Sequence, residues 1–459
     1  MTAEMTADAL EELVADLPAG VVVTGADEIE KYREDFARDG SAGMPIAVVR
    51  PDTAEQIQQT VRWAARHGVP VVPRGAGTGL SGGSSAVDGG ITISLHRMRS
   101  IEIDPAAQVA VVEPGALNIE VKRAAAEHGL WYPPDPSSYE ICSIGGNLAT
   151  NAGGLCCVKY GVTTDYVLGM DVVLADGTLV TLGGRQIKDV AGLSLLKLFV
   201  GSEGTLGIIT RATLRLVPAQ RVGATLVGAF PTMTAASRAV VAIRGQVRCS
   251  MLELMDQVTI NAVEDWRPHG LDRACGALLI AQSDSPGGSC AAEIDVVRTA
   301  CEEHGASEVF TTTDAEEAEL FVAARRNALQ AVEHRGSVLF EDVGVPVPLL
   351  PDLVDGIAEI SAHCGVEIAL VAHAGDGNTH PLVMYDAADP AQAAGARTAF
   401  DDVMALAIRL GGTITGEHGV GRAKKSALAD QLGDDVMALN RRIKEALDPD
   451  GILNPGAIL

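Results

Sequence analysis

Apolar residues recur at helical intervals over 6–18, with Leu10, Leu13, Val14 and Leu17 on one stripe. Ile46–Val49 reads as a short strand stopped at Pro51. Thr53 stands where a helix N-cap belongs, Gln56 takes the capping-box position, and Ile57, Val61 and Ala64 form the apolar stripe behind them. Gly68 ends this helix and Val69–Val72 is the next strand. Strands are expected again at Ile91–Leu95 and Val109–Val112, and a helix over Leu117–His128. Ala175-Asp176-Gly177 turns the chain between Val167–Leu174 and Thr178–Leu182, a hairpin pattern. Ile208–Thr210 and Ala212–Val217 follow as strands.

Past Pro218–Arg221 the glycine-dense texture stops and a strand–helix rhythm takes over. Strands are predicted at 222–230, Met251–Met255, Ala277–Ala281, Val338–Val345, Val366–His373, Leu382–Met384 and Gly412–Ile414. Helices are predicted at Met233–Ile243, Ile294–His304, Thr313–Leu329, Leu349–His363 and Ala396–Leu410. The order fits an α+β unit with an antiparallel sheet and helices on one face. Three segments result: 1–220, 221–420, and a tail 421–459 with one helix (Asp434–Leu447), too small to stand alone.

Composition narrows the function classes. A net charge of −25 opposes a non-specific nucleic-acid binder, which needs clustered Lys and Arg. The eight cysteines include the adjacent pair Cys156-Cys157 and no C-x-x-C, so zinc-ribbon and iron–sulfur patterns have no support. The acidic start M-T-A-E-M-T-A-D carries no export pattern and no long uncharged apolar run follows, so a cytoplasmic protein is expected.

Three stretches interrupt the periodicity. Pro73–Ser84 is P-R-G-A-G-T-G-L-S-G-G-S, nearly stripped of side chains directly after a strand. It fits neither the Gly-Lys-Ser/Thr phosphate loop nor G-x-G-x-x-G, and reads as a phosphate cradle or as a surface loop. Pro133–Gly161 is too rich in Gly, Asn and Pro for one long element, yet apolar enough to be buried, so its backbone needs partners. The third is G-S-E-G-T-L-G at 201–207.

In the second half, His373-A-G-D-G-N-T-His380 places two imidazoles on a hairpin, and Gly416-Glu417-His418-Gly419 adds a carboxylate and a third imidazole. Two His and one Glu make three ligands of a zinc-like site with an open position; the same residues could be turn residues at the surface. Arg325-Arg326 offers a two-point carboxylate clamp or a solvated helix face. Glu341-Asp342 is a strand edge or support for ligands. His67, His128 and His304, each before Gly at a helix end, read as capping or solvent residues.

Four motifs in order give these signals a common owner: R-G-A-G-T-G-L-S-G-G (74–83), S-I-G-G-N-L-A-T-N-A-G-G (143–154), G-S-E-G-T-L-G-I-I-T (201–210), and H-A-G-D-G-N-T-H paired with G-E-H-G-V-G. From about residue 40 onward the chain resembles the FAD-linked 2-hydroxyacid oxidoreductases, the family of the glycolate oxidase FAD subunit, D-lactate dehydrogenase and D-2-hydroxyglutarate dehydrogenase. The resemblance implies a vanillyl-alcohol-oxidase (PCMH) type FAD-binding domain of two subdomains and an α+β cap domain with an antiparallel sheet. It implies non-covalent FAD, with Pro73, Arg74, Gly75, Ala76, Gly77, Thr78, Gly79, Leu80, Ser81 and Gly82 at the diphosphate. Pro134, Asp135, Ser143, Gly145, Gly146, Asn147, Thr150 and Gly153 would line the flavin and its diphosphate. Glu203, Gly204, Ile208 and Ile209 would face the ribose and adenine side, and Asn454 the ring. His373, His380 and Glu417 would bind a divalent metal, zinc being expected, with His418 the base and Arg325 the carboxylate anchor. Where D-2-hydroxyglutarate enzymes are expected to carry a lysine, this chain has Phe340-Glu341-Asp342, which favours glycolate or D-lactate. Electrons would leave to a partner subunit, a quinone, a cytochrome or an electron-transfer flavoprotein; a homodimer is compatible. The alternatives are a D-2-hydroxyglutarate dehydrogenase, an alkyl-dihydroxyacetone-phosphate-synthase-like enzyme, and a flavin-bound subunit without activity of its own.

Overall fold

Helix Ala54–His67 is set by its ends. Thr53 Oγ1 accepts the Gln56 N–H, Gln56 Oε1 reaches back to the Asp52 N–H at 2.7 Å, and Gly68 closes the helix at φ 61°. The Gln56 bond lands one residue before the capping-box position. The computed structural model describes residues 3–38, 40, 42–221 and 223–459. The first two residues of the acidic start, and Val222 at the head of the strand predicted over 222–230, lie outside the described residues.

The chain divides into two compact units. The first runs from the N-terminus to Ala152 and adds Val162–Ala219 and Glu417–Leu459; the second is Gly153–Gly161 with Gln220–Gly416. In the first unit Ala47–Val49, Ile91–Ser94 and Val71–Arg74 pair in parallel, and Val22–Val23 is antiparallel at the edge. A second sheet has the order Ile101–Asp104, Val109–Val112, Ile208–Arg215, Val167–Val173, Leu179–Gly183, all antiparallel. The strands predicted at 208–210 and 212–217 are one strand with a register shift between Ile209 and Arg211. Ile57, Val61, Trp63, Val71 and Ile91 pack with Ile452 and Leu453, so the chain's end lies in the core of this unit. Val71 donates to the Ile452 carbonyl and accepts from the Asn454 N–H, each at 2.8 Å.

The second unit is built on one antiparallel sheet of order Glu308–Thr312, Ala224–Phe230, Ala277–Ser283, Met251–Asp256, Glu367–His373, Asn378–Tyr385, Ser337–Phe340, with Val343–Gly344 also on Asn378–Tyr385. Leu252, Glu253, Leu254 and Met255 are all buried in succession, so both faces are covered, not one as expected. Helices Gln257–Trp266 and Ala328–Glu333 bury Ile260, Val263 and Val332 against Val227, Met255, Ile280 and Val371. On the opposite face, Gly228 looks at Cys301 of helix Gly288–Glu303. The predicted helix Thr313–Leu329 is two helices, Ala315–Arg326 and Ala328–Glu333, joined at Asn327. The predicted strand Val338–Val345 breaks at Glu341 and Asp342, both fully buried. Gly412–Ile414 makes only a bridge, from Thr413 to Gly344. Helix Lys425–Leu432 and strand Ile101–Asp104 were not predicted, although I-E-I-D alternates as a half-buried strand does. No helix among the described residues is long and apolar enough to cross a membrane.

Candidate functional site

In the first unit, strand Val71–Arg74 delivers the glycine-rich loop. Gly77 has φ 75°, and a Cβ there would strike the Arg74 guanidinium. Arg74 is 8% exposed and its guanidinium donates to the carbonyls of Glu34 (2.8 Å) and Ser84 (3.3 Å), the second bond tying the far end of the loop to its start. Burial pushes its pKa down, opposed by nearby Asp35, while burial raises Asp35 against the Ser84 and Ala37 N–H groups. The Ala76 N–H goes to Ser143 Oγ at 3.1 Å, and the same oxygen caps helix Ile144–Thr150 through Gly146 N–H. One hydroxyl therefore joins the first two motifs. Among the described residues the N–H groups of Gly77, Thr78, Gly79 and Leu80 donate to no protein acceptor. A run of backbone donors with almost no side chains suits an anionic group such as a diphosphate, so the residues fit the FAD that the resemblance implies.

Other predicted cofactor residues serve the backbone. Asn147 Oδ1 accepts from Asn118 Nδ2 at 3.1 Å, which also bonds the Pro134 carbonyl, and Thr150 Oγ1 returns to the Gly146 carbonyl. Gly145 leaves room for Pro114, and Gly204 for Pro73. Asp135 is buried, Ile208 and Ile209 lie in a buried strand, and Gly153 is buried at the start of a stretch that belongs to the second unit. Glu203, at φ 49°, turns its carboxylate to the N–H groups of Val420 (2.8 Å) and Gly421 (2.9 Å). Burial pushes it up to about 7, those two N–H bonds opposing. Asn454 donates to the carbonyls of Gly83 and Glu203, each at 2.7 Å, and accepts from Arg422. Ser81 Oγ donates to the Gly419 carbonyl at 2.8 Å, and the Ser81 carbonyl takes the Arg422 N–H at 2.8 Å. The segment just after Glu417-His418 is thus pinned to the glycine-rich loop and to 201–207. His418 Nε2 stands 3.5 Å from Glu417 Oε1. Arg422 was missed by sequence reasoning; its only signal was its place after G-E-H-G-V-G.

In the second unit, His373 and His380 share one face of the sheet. Val371 opposes His380, which puts His373 on the diagonal, and the rings meet edge to face with centroids 5.0 Å apart. Each ring turns Nδ1 toward a buried carboxylate: His373 to Glu253 Oε2 at 2.9 Å, His380 to Asp342 Oδ1 at 3.7 Å. Carboxylates behind Nδ1 direct Nε2 to a cation, so this pair fits a divalent metal. Arg325, 3% exposed at the end of helix Ala315–Arg326, sets Nε 2.9 Å from Glu253 Oε2, an ion pair without hydrogen-bond alignment. Its Nη2 is buried with no hydrogen-bond partner among the described residues. Arg326 instead pairs with Glu319 at 3.0 Å on the outer side of the helix. Asp342 Oδ2 accepts from Thr415 Oγ1 (2.8 Å) and from the Gly416 N–H (2.9 Å), fixing the residue that precedes Glu417. Glu253 was missed, although a charge inside M-L-E-L-M was a signal: a carboxylate amid core residues needs partners.

Comparison with known proteins gives the family and the fold. The family described as "FAD binding domain" matches residues 45–183, and "FAD linked oxidases, C-terminal domain" matches 219–458. The glycolate oxidase subunit GlcD of Bacillus subtilis is 38% identical over 98% of this chain and 97% of its own. D-lactate dehydrogenase of Archaeoglobus fulgidus is 34% identical over 90% of this chain and 91% of its own. Among solved structures, 4-ethylphenol oxidase from Gulosibacter chungangensis superimposes with TM-score 0.82 at 21% identity, covering 99% of this chain and 97% of that one. Alkyldihydroxyacetonephosphate synthase does so with TM-score 0.76 at 20% identity, over 98% and 85%. At these identities the two structures establish a common fold.

Proposed function

The chain belongs to the FAD-linked oxidases, and from that membership we propose that it oxidises a small D-2-hydroxy acid, D-lactate or glycolate, to the 2-oxo acid. The observation that carries the reading is Arg325 Nη2, a buried cationic donor without a partner among the described residues, beside two carboxylate-backed histidines. A buried guanidinium edge of this kind suits a substrate carboxylate. His373 and His380, with Glu417 directly following the anchored Gly416, would hold a divalent metal, zinc by its preference for such donors. FAD would supply the two-electron acceptor, and the metal the Lewis acid that makes the 2-hydroxyl easier to deprotonate. His418 takes the hydroxyl proton and Arg325 holds the carboxylate, so that C2 is presented in one orientation. Phe340, Glu341 and Asp342 supply no cation where a lysine would hold a second, distal carboxylate, which favours monocarboxylates over 2-hydroxyglutarate. Relatives named as glycolate oxidase subunits support a partner subunit as the electron acceptor.

Anaerobic titration tests this. D-lactate or glycolate should bleach the flavin, and D-2-hydroxyglutarate should do so at least tenfold less efficiently. A flavin bleached by no 2-hydroxy acid would overturn the reading in favour of a non-catalytic subunit.

A further inference from the structure

The geometry points to Glu253 as a positioning residue that aims both the metal ligand His373 and the substrate anchor Arg325, so that one carboxylate sets two affinities. This rests on the reading of the site given above. Glu253 is 1% exposed and lies on the central strand Met251–Asp256. The ladder pairs Leu254 with Ala372 and Met255 with Val371, which brings Glu253 opposite His373. Its two oxygens lie 3.0 and 2.9 Å from His373 Nδ1, and Oε2 is also 2.9 Å from Arg325 Nε.

The chemistry of the shared carboxylate follows from its neighbours. An ionised carboxylate only accepts hydrogen bonds, so it selects the His373 tautomer with the proton on Nδ1 and leaves Nε2 as the ligating atom. The same negative charge holds the Arg325 guanidinium by Nε, which leaves the buried Nη2 to take a carboxylate. An amide in its place carries no charge for Arg325. If its NH₂ faced Nδ1 it would reverse the tautomer, moving the proton to Nε2 where a metal must bind. Neither effect requires contact between Glu253 and substrate or metal.

The test uses the purified, FAD-loaded, full-length protein and compares wild type, Glu253→Gln, Glu253→Asp and Arg325→Lys. Zinc affinity is measured by competition with a chromogenic chelator, and KM and kcat by anaerobic flavin reduction with D-lactate. Glu253→Gln should weaken Zn²⁺ by about 10–100-fold and raise KM for D-lactate by at least about tenfold. Arg325→Lys should raise KM alone, with Zn²⁺ affinity unchanged. Glu253→Asp, which keeps two acceptor oxygens one methylene further back, should recover part of both losses. If wild type binds zinc and reduces with D-lactate, while Glu253→Gln alters neither constant or only one, the positioning role is overturned and the function stands. If wild type shows neither property, both fall. If neither Glu253 variant folds with FAD bound, the residue is a structural ion-pair partner and the proposal is overturned.

Discussion

Glu203 offers a test that needs no substrate. It sits buried among backbone N–H groups, and burial raises its folded-state pKa from 4.5 to about 7. A raised carboxyl pKa means that the folded state holds its proton where the unfolded chain has released it. The contribution is complete below the unfolded value near 4.5 and is lost as pH rises through about 7. A difference of this size corresponds to about 3 kcal/mol between the two limits. Glu203→Gln imitates the protonated side chain at all pH values, since one amide oxygen can keep the Val420 and Gly421 N–H bonds. Thermal unfolding of both proteins would be followed by circular dichroism from pH 4.5 to 8.5. Wild type should lose stability relative to the variant as pH rises, by on the order of 5–10 °C across the window. Asp256, raised to about 6 by burial, titrates in both proteins and cancels in the difference. Parallel curves over the whole range would refute the reasoning, because they would mean that Glu203 titrates in the fold at or below its unfolded value.

Further outcomes are expected at other positions. His418→Ala should abolish flavin reduction by D-lactate while FAD stays bound in full, as read from the absorption spectrum; normal reduction rates would remove His418 as the base. Chelation of bound zinc should abolish reduction and readdition should restore it, checked by metal analysis of the same samples. Gly421→Ala should destabilise the first unit by roughly 1–3 kcal/mol, since φ is 53° and the new methyl would collide with the Ser81 carbonyl. It should also lower the FAD content, as the same turn is bonded to the glycine-rich loop. Thr53→Ala should cost about 1 kcal/mol by removing a helix cap, with no change in flavin reduction.

The local elements were legible because their signals are local. Helix Ala54–His67 carries its own caps, the 175–177 turn needs only its glycine and flanking strands, and the four motifs identify their family by short-range spacing. The donor types at 373, 380, 417 and 325 were also readable. The break at Asn327 was not, since Thr313–Leu329 is uniformly helix-compatible and Ala324, Ala328 and Val332 keep one helical spacing across it. The covering of both sheet faces was hidden too, because fully buried strands lose the alternation that marks one wet face.

By itself, then, the sequence determined most of the strands and helices, where a glycine-rich backbone nearly bare of side chains follows a strand, and which family the chain joins. Only the tertiary structure decided which side chains answer one another. Glu253 becomes a bridge because strand register sets it opposite His373 and a helix end brings Arg325 over it. Glu203 becomes a clasp for the Val420–Gly421 turn across a long stretch of chain. Buried charges need partners, and pairings between residues far apart in sequence leave no periodic trace; they exist only once the sheet has closed.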